Sequence, residues 1–450
     1  MEYPGSHFTK KIRLAVLIGF IAAFFVISPI LILYTSGYRY DWTNGLFRST
    51  GAINVDIEPV NTQLYLNEVK INGKIPYRLQ NVAPGKYRLR LTADGYYDWA
   101  KEIEVKDNQT VYIKEIILLK KKAPEYISSN LTNKLLMAPS GRYLAYAVAK
   151  NNLQEIWLYD TGATRENIVT RLADPAEPDL VWAKNNNFFA ISQTNGKTNF
   201  LTLVNADAPE TQIDLTKEVP TPILKFQWKD SVTPEIIFST KDALYSFFPT
   251  TGQLTKISAN KYLDWSLEAN SLWTLQKNDE NGLSIYKDTL GFASEFFPAD
   301  LNNLPPLDPA YKFLDASGNT VILQKSETAE VRIVSADKQY KISADNYRLS
   351  KYQNWRIFWS PWEIFTYSAG EEPFLLNRSG EQLRDVVPLD EFNTLGLVWA
   401  DKTTVLFPYY FVSHDLIKHS LAAAAANPDS RKLYFVSKIG DKEGLWSMEY

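Results

Sequence analysis

At 450 residues the chain exceeds one ordinary domain of roughly 100 to 200 residues, so an appendage beside a larger body is expected. Aromatic residues make up 14% of it (26 Tyr, 23 Phe, 12 Trp), a composition that suits pleated, half-buried strands. Its 48 basic and 51 acidic residues leave a net charge of -3, which argues against nucleic acid as a partner. The absence of cysteine excludes disulfides, thiolate metal sites and a lipidated N-terminal Cys.

From Leu14 to Leu33 the text "LAVLIGFIAAFFVISPILIL" contains no charge. Twenty helical residues rising about 1.5 Å each span the roughly 30 Å hydrocarbon core, so residues 14–34 are expected to cross a membrane. Pro29 is tolerated better in such a span than in a soluble helix. Lys10, Lys11 and Arg13 precede the run and Arg39 is the first cation after it, which leaves residues 1–13 in the cytoplasm and the C-terminal domains outside. A cleaved signal peptide is disfavoured, because the apolar run is long and "LYTSGYRYDW" offers no small-residue cleavage site. Residues 35–50 are read as a juxtamembrane linker, where Tyr34, Tyr38, Tyr40 and Trp42 suit an interfacial aromatic belt or packing on the next domain.

Residues 51–122 alternate with period two at Ile53, Val55 and Ile57, at Tyr87, Leu89 and Leu91, and at Ile103 and Val105. Turn signals separate these runs at Asn72-Gly73, Pro84-Gly85 and Asp107-Asn108, so a small β-sandwich of short antiparallel strands is expected. The pieces "GAINVDIEP", "LYLNEVKINGKIPYRL", "VAPGKYRLRL", "ADGYYDW" and "VYIKEIILL" resemble the PEGA domain, a β-sandwich module of prokaryotic surface and envelope proteins. Two places depart from it: the eponymous motif reads Pro59, Val60, Asn61, Thr62, and a Gly-x-Thr-Pro turn reads Gly73, Lys74, Ile75, Pro76. Tyr96, Tyr97 and Trp99 are expected to pack under the sandwich, with a carbohydrate-stacking platform as the alternative.

Residues 123–450 repeat a unit of apolar residues, a central residue, a polar turn and a strand, as in "LLMAPSGRYLAYAV" and "LVWAKNNNFFAIS". The central residues are Met137, Trp182, Trp228, Trp265, Asp315, Trp359, Trp399 and Ala426, spaced by 45, 46, 37, 50, 44, 40 and 27. A further strand follows most units ("EIWLYD", "NFLTLV", "ALYSFF", "PFLLN"), and several add a fourth ("QLTKIS", "QYKIS"). That period with four strands is the pattern of a β-propeller. Eight blades are expected; seven is the alternative, if the segments at Trp399 and Ala426 share a blade. The last unit ends on "LWSMEY", short of an outer strand, which residues 124 to 132 ("PEYISSNLT") are expected to supply. "APSGRYLAYA" followed by "EIWLYD" is similar to TolB-like and WD-repeat propellers, although Gly-His and Trp-Asp landmarks are missing. The order of one span, a PEGA-like domain and a propeller resembles bacterial surface proteins.

The fold class is therefore mainly β with one N-terminal span, and no catalytic, cofactor-binding or metal-binding residue is assigned. His414 and His419 are five apart, which fits neither one helix face nor one strand face, so a metal pair is not expected. Asp174, Glu177 and Asp179 in "ADPAEPDL" are the acids weighed for a channel, with a solvated loop as default. "AEPD" and "NDENG" (278–282) lack the full calcium-loop pattern. Trp355, Trp359 and Trp362 are read as packing first and recognition second. The function expected is a membrane-anchored extracytoplasmic binding or scaffold protein, presenting a propeller to an envelope protein or a cell-wall or surface glycan. The alternative is an envelope carbohydrate-active enzyme with its site in the propeller channel.

Overall fold

The computed structural model describes residues 10–41, 46–173, 176–195, 198–219, 222–259, 262–277, 283–289, 294–296, 310–335, 338–350 and 355–450. They form two compact units, Met1–Lys121 and Lys122–Tyr450. His7, Trp42, Asp174 and the segment 278–282 fall outside the described residues.

The first unit opens with the helix Lys10–Thr35, which runs through Pro29 and buries none of its residues. Among the described residues it is the one helix long and apolar enough to cross a membrane. The last turn leaves carbonyls without intrahelical donors. There the Ser36 amide donates to Ile32 O and the Gly37 amide to Tyr34 O, the single Thr35 hydroxyl proton is shared between Leu31 O at 2.9 Å and Ile32 O at 3.0 Å, and Arg39 Nη1 donates to Tyr34 O at 2.7 Å.

A hairpin of Tyr38–Asp41 and Leu46–Ser49 leads into the sandwich. One sheet places Gly51–Glu58 between Tyr77–Val82 and Thr110–Ile117; the other has the order Val69–Ile71, Gln63–Leu66, Gly85–Thr92, Trp99–Val105. The strict alternation of buried and exposed positions along Gly51–Glu58 is the one-sided pattern expected from the sequence. The expectation of antiparallel strands throughout needs correcting. Gly51–Glu58 pairs in parallel with Thr110–Ile117, since the first and last strands of the sandwich enter the same sheet from the same end. Ile53, Val55, Leu64, Leu89, Leu91 and Trp99 make the core, so Trp99 packs inside as expected; Tyr96 and Tyr97 are half-buried. All three turn signals hold: Gly73 and Gly85 have φ of 153° and Asn108 has φ of 55°.

The second unit contains eight four-stranded antiparallel sheets among its described residues. Their first strands are Leu136–Met137, Asp179–Trp182, Lys225–Trp228, Asp264–Glu268, Tyr311–Ser317, Asn346–Leu349, Leu383–Pro388 and Leu421–Asn427, and they begin blades 1 to 8 in that order. First strands touch between blades 4 and 5, 7 and 8, 8 and 1, and 1 and 2, which puts them around the axis. Apolar clusters bridge consecutive blades. Phe189 and Leu180 of blade 2 pack on Ala145 and Ile156 of blade 1, and Trp273 of blade 4 packs on Phe313 and Val321 of blade 5. The series returns to its start, because Tyr434 and Ala425 of blade 8 share a cluster with Leu144 and Tyr146 of blade 1. A ring of sheets that bury both faces on their neighbours is a β-propeller.

Two of the repeat units are out of phase with the blades. Trp359 and Trp399 sit on Arg356–Trp359 and Leu395–Trp399, the second strands of blades 6 and 7, not the first. "PFLLN" is accordingly the fourth strand of blade 6. The 27-residue gap from Trp399 to Ala426 thus runs from a second strand to the next blade's first, and the segments at its two ends belong to different sheets.

Ring closure follows the expected route. Glu125–Ser128 pairs with Lys442–Glu449, the third strand of blade 8, in the register Glu125↔Ser447 and Tyr126↔Trp446. Tyr126 packs edge-on against Trp446 at 5.0 Å between ring centres. A bulge lets the strand approach so closely that a Cβ on Gly444 would stand 2.0 Å from Ser128 O, and Gly444 has φ of 150°. Ser128 and Asn130 then reach into blade 1, donating to Glu166, which also accepts from the buried Tyr146 hydroxyl. Burial and that carboxylate push the Tyr146 phenol far above its ordinary value.

Candidate functional site

The axis of the ring is built from first strands, and their side chains decide where it is closed and where it is open. Trp182 and Trp228 repeat one device. Trp182 Nε1 donates to Leu136 O and Trp228 Nε1 to Val181 O, each at 3.0 Å, so each indole is bonded to the first strand of the preceding blade. Trp265 varies it by donating to Ser239 Oγ at 3.0 Å. Where Asp315 replaces tryptophan, the link is ionic: Arg356 Nε meets Asp315 Oδ2 at 2.8 Å, and the Tyr347 hydroxyl donates to the same oxygen at 2.9 Å. The out-of-phase Trp399 bonds within its own blade, to Thr404 Oγ1.

Across blades 3 to 5 the axis is latched. Lys225 Nζ meets Asp264 Oδ1 at 2.7 Å and donates to Trp265 O at 2.6 Å, while Asp264 Oδ2 accepts the Phe313 amide at 2.7 Å. One carboxylate therefore joins three neighbouring first strands. Burial lowers the Lys225 ammonium, and Asp264 works against that shift.

Blade 8 does the opposite. Its first strand reads "LAAAAAN", Leu421–Asn427, and Ala422 to Ala426 bring almost nothing into the axis. A cavity of about 500 Å³ opens at the C-terminal ends of the first strands, walled by Met137, Leu349, Val387, Ala425 and Pro428. Its charged members are already engaged. Lys184 and Asn185 hold Asp230, and Arg348 meets Asp385 at 3.3 Å while lying 5.6 Å from the Trp359 ring centre. A second cavity of about 510 Å³ lies toward the other ends of these strands, between blades 7, 8, 1 and 2. Ala147, Ala149 and Ala422 give it small walls, and Arg384, Lys438, Glu177 and Glu443 give it charges of both signs. Arg384 Nη1 donates to Ser420 Oγ at 3.0 Å. Where the alanine strand ends, Asn427 Nδ2 donates to Gly141 O at 2.7 Å, a buried bond that ties the blade 8 turn to the blade 1 turn. Gly141 has φ of 71°, and a Cβ there would stand 2.7 Å from Asn427 Oδ1.

The acids weighed from the sequence separate. Glu177 lines the second cavity, whereas Asp179 pairs with Lys134 at 2.5 Å. Glu177 and Glu443 are both exposed, and Glu443 stands opposite Lys438 in the hairpin register. A general acid for glycoside cleavage needs a desolvated setting, so neither cavity lends support to a carbohydrate-active enzyme. The carboxyl that burial does raise is Asp390, whose Oδ1 accepts the Phe392 and Thr394 amides in the turn after Pro388; its side chain is not part of either cavity wall. His414 sits on the outer strand of blade 7 and His419 is exposed beyond it; no metal-binding cluster occurs among the described residues. Trp359 is buried, Trp355 is half-buried 5.6 Å from the Tyr409 ring, and Trp362 is exposed. Sequence reasoning missed Arg384, Lys438 and the alanine strand; the five-alanine run is the signal that could have drawn attention to blade 8.

No curated protein matches the chain. The Cps50 (Swd1) β-propeller domain of Myceliophteria thermophila is 10% identical, with a TM-score of 0.44 over 73% of this chain and 99% of that one. The WD40 repeats of RRP9 are 7% identical at a TM-score of 0.39, over 73% and 97%. TolB from Acinetobacter baumannii is 11% identical at 0.31, over 56% of this chain and 57% of TolB. These likenesses carry no ligand or reaction to this chain. Residues 50–117 match the PEGA domain, so the chain carries a PEGA domain ahead of a β-propeller.

Proposed function

We propose that the chain is a membrane-anchored extracytoplasmic scaffold, held by residues 14–34 with residues 1–13 in the cytoplasm. Its PEGA domain, residues 51–122, is the spacer, and its propeller, residues 123–450, presents the axial cavities to an envelope protein or a cell-wall or surface glycan. One observation carries this reading: the alanine strand of blade 8 borders two cavities of about 500 and 510 Å³ beside an axis that blades 3 to 5 latch. Such concave sites with a few converging polar groups are where ligands and partner segments bind. At the first cavity Lys184 pairs with Asp230 and Arg348 with Asp385, an engagement that suits recognition better than proton transfer. The net charge of -3 keeps nucleic acid out of the reading.

Site-specific photo-cross-linking on intact cells tests it. A cross-linker at Lys438 or Asn185, on the cavity rims, is expected to capture a discrete adduct, whereas one at Lys256 on the outer strand of blade 3 is not. Equal labelling from all three positions would overturn the cavity as the recognition site. A C-terminal reporter that reads cytoplasmic would overturn the topology.

A further inference from the structure

A third cavity, of about 910 Å³, lies within the first unit where the apolar helix ends. Its wall includes Ile30 and Tyr34 of the helix, Tyr38, Tyr40, Arg39 and Arg48 of the hairpin, and Asn81 of the sandwich. The floor is fixed by specific bonds. Thr50 donates through both its amide and its hydroxyl to Gly37 O, and the Asn108 amide donates to Thr50 O. Gly37, at φ of 82°, leaves no room for a Cβ beside Asn108.

Arg39 and Arg48 are direct partners in the hairpin register. Both side chains line the cavity. Arg39 is held in place by Nε donating to Asn81 Oδ1 at 2.9 Å, by Nη1 donating to Tyr34 O and Tyr38 O, and by the Tyr34 ring 3.9 Å from its guanidinium carbon. Among the described residues its Nη2 makes no hydrogen bond and no carboxylate pairs with it, so two donors of a fixed fork stay available.

We infer that this cavity holds the phosphate of a phospholipid headgroup from the outer leaflet. The inference rests on the membrane-anchor reading above. Arg39 lies a few residues past the last apolar position, Leu33, which is headgroup depth for a helix that spans the core. Guanidinium forks match phosphate oxygens, and exposed Tyr34, Tyr38 and Tyr40 suit the interface where acyl chains meet headgroups. The bound lipid engages the free Arg39 donors at the cavity wall and fixes how the helix leaves the bilayer.

The test uses the full chain purified in a maltoside detergent, with lipid adducts counted by native mass spectrometry. Phosphatidylglycerol is expected to give one saturating adduct, weakened about tenfold by Arg48→Gln and largely restored by Arg48→Lys. Arg39→Gln is expected to weaken it at least as much, and diacylglycerol, which lacks the phosphate, to give no adduct. Equal binding to wild type and both glutamine variants would overturn the inference. So would displacement of the lipid by equimolar inorganic phosphate, which would mark a free-phosphate site. Carbonate extraction of membranes separates the two readings. Release of the wild-type chain defeats the anchor and this site together; retention with unchanged adducts defeats the lipid site alone.

Discussion

Blades 3 to 5 and the seam between blades 8 and 1 surround the same axis, yet they hold it by different means. On the far side Lys225, Asp264 and the Phe313 amide join three first strands through one carboxylate, with Trp265 and Trp273 filling the space behind. At the seam the first strand is nearly all alanine, whose burial yields little apolar area. Cohesion there comes from a strand borrowed from before blade 1, a glycine that lets it approach, the apolar cluster of Leu144, Tyr146 and Tyr434, and the Asn427 to Gly141 bond. The difference shows how a ring can stay closed while leaving one side of its axis empty. The far side uses its centre for stability; the seam moves stability to the rim and frees the centre.

That contrast can be broken in a graded way. Deleting residues 124 to 132 removes the borrowed strand, the Tyr126 to Trp446 contact and the bonds to Glu166. It is expected to cost about 4 kcal/mol or more and to expose an edge that promotes aggregation; an unchanged melting temperature would refute the seam's dependence on it. On the far side, Asp264→Ala strands the Lys225 ammonium and the Phe313 amide, for an expected loss of about 3 kcal/mol in denaturant unfolding. Gly444→Ala should push the borrowed strand away from Lys442–Glu449, costing about 2 kcal/mol. Combined with Asp264→Ala it should add without coupling, because the two sites share no partner. Asn427→Ala removes one of the two side-chain donors to the Gly141 carbonyl, Thr161 Oγ1 at 3.1 Å being the other, and is expected to cost about 1 kcal/mol.

The smallest effect concerns pH. The Lys341 ammonium first, then the Tyr311 hydroxyl and Arg332, hold Glu330 down to about 2 from an ordinary 4.5. A carboxylate depressed by folding contributes stability that is complete above 4.5 and is lost as pH falls toward about 2. Melting temperature should therefore fall less steeply across that window in Glu330→Gln than in wild type. Parallel curves would show that Glu330 contributes no folding-linked proton.

Much of this architecture was legible because local chemistry repeats. The uncharged run before Leu33, the alternation at Ile53, Val55 and Ile57, and the recurrence of Trp182, Trp228 and Trp265 each reflect a short-range rule. The reading slipped in blades 6 and 7, where Arg348 and Asp385 occupy the first strands and the tryptophans move to the second. A motif keyed to tryptophan and a polar turn fits a second-to-third hairpin equally well, so phase is lost while the recurrence of four-stranded sheets survives among the described residues. The site was barely legible. Glu177 and Asp179 are two residues apart, but one lines a cavity and the other faces Lys134, a choice made by the neighbouring blade. Gly141 and Asn427 meet across 286 residues, and no local pattern announces such a pair.

The borrowed strand also sets a schedule. Glu125–Ser128 leaves the ribosome before any blade, yet its partner Lys442–Glu449 is synthesised after seven blades are already out. Through that interval the early strand has an unsatisfied edge, and the first and last blades lack a common wall. Closure is then a late, long-range event, slow by the general relation between contact order and folding rate. A chain truncated anywhere before that final hairpin cannot close its ring, which makes this seam the place where an unfinished copy differs in kind from a finished one.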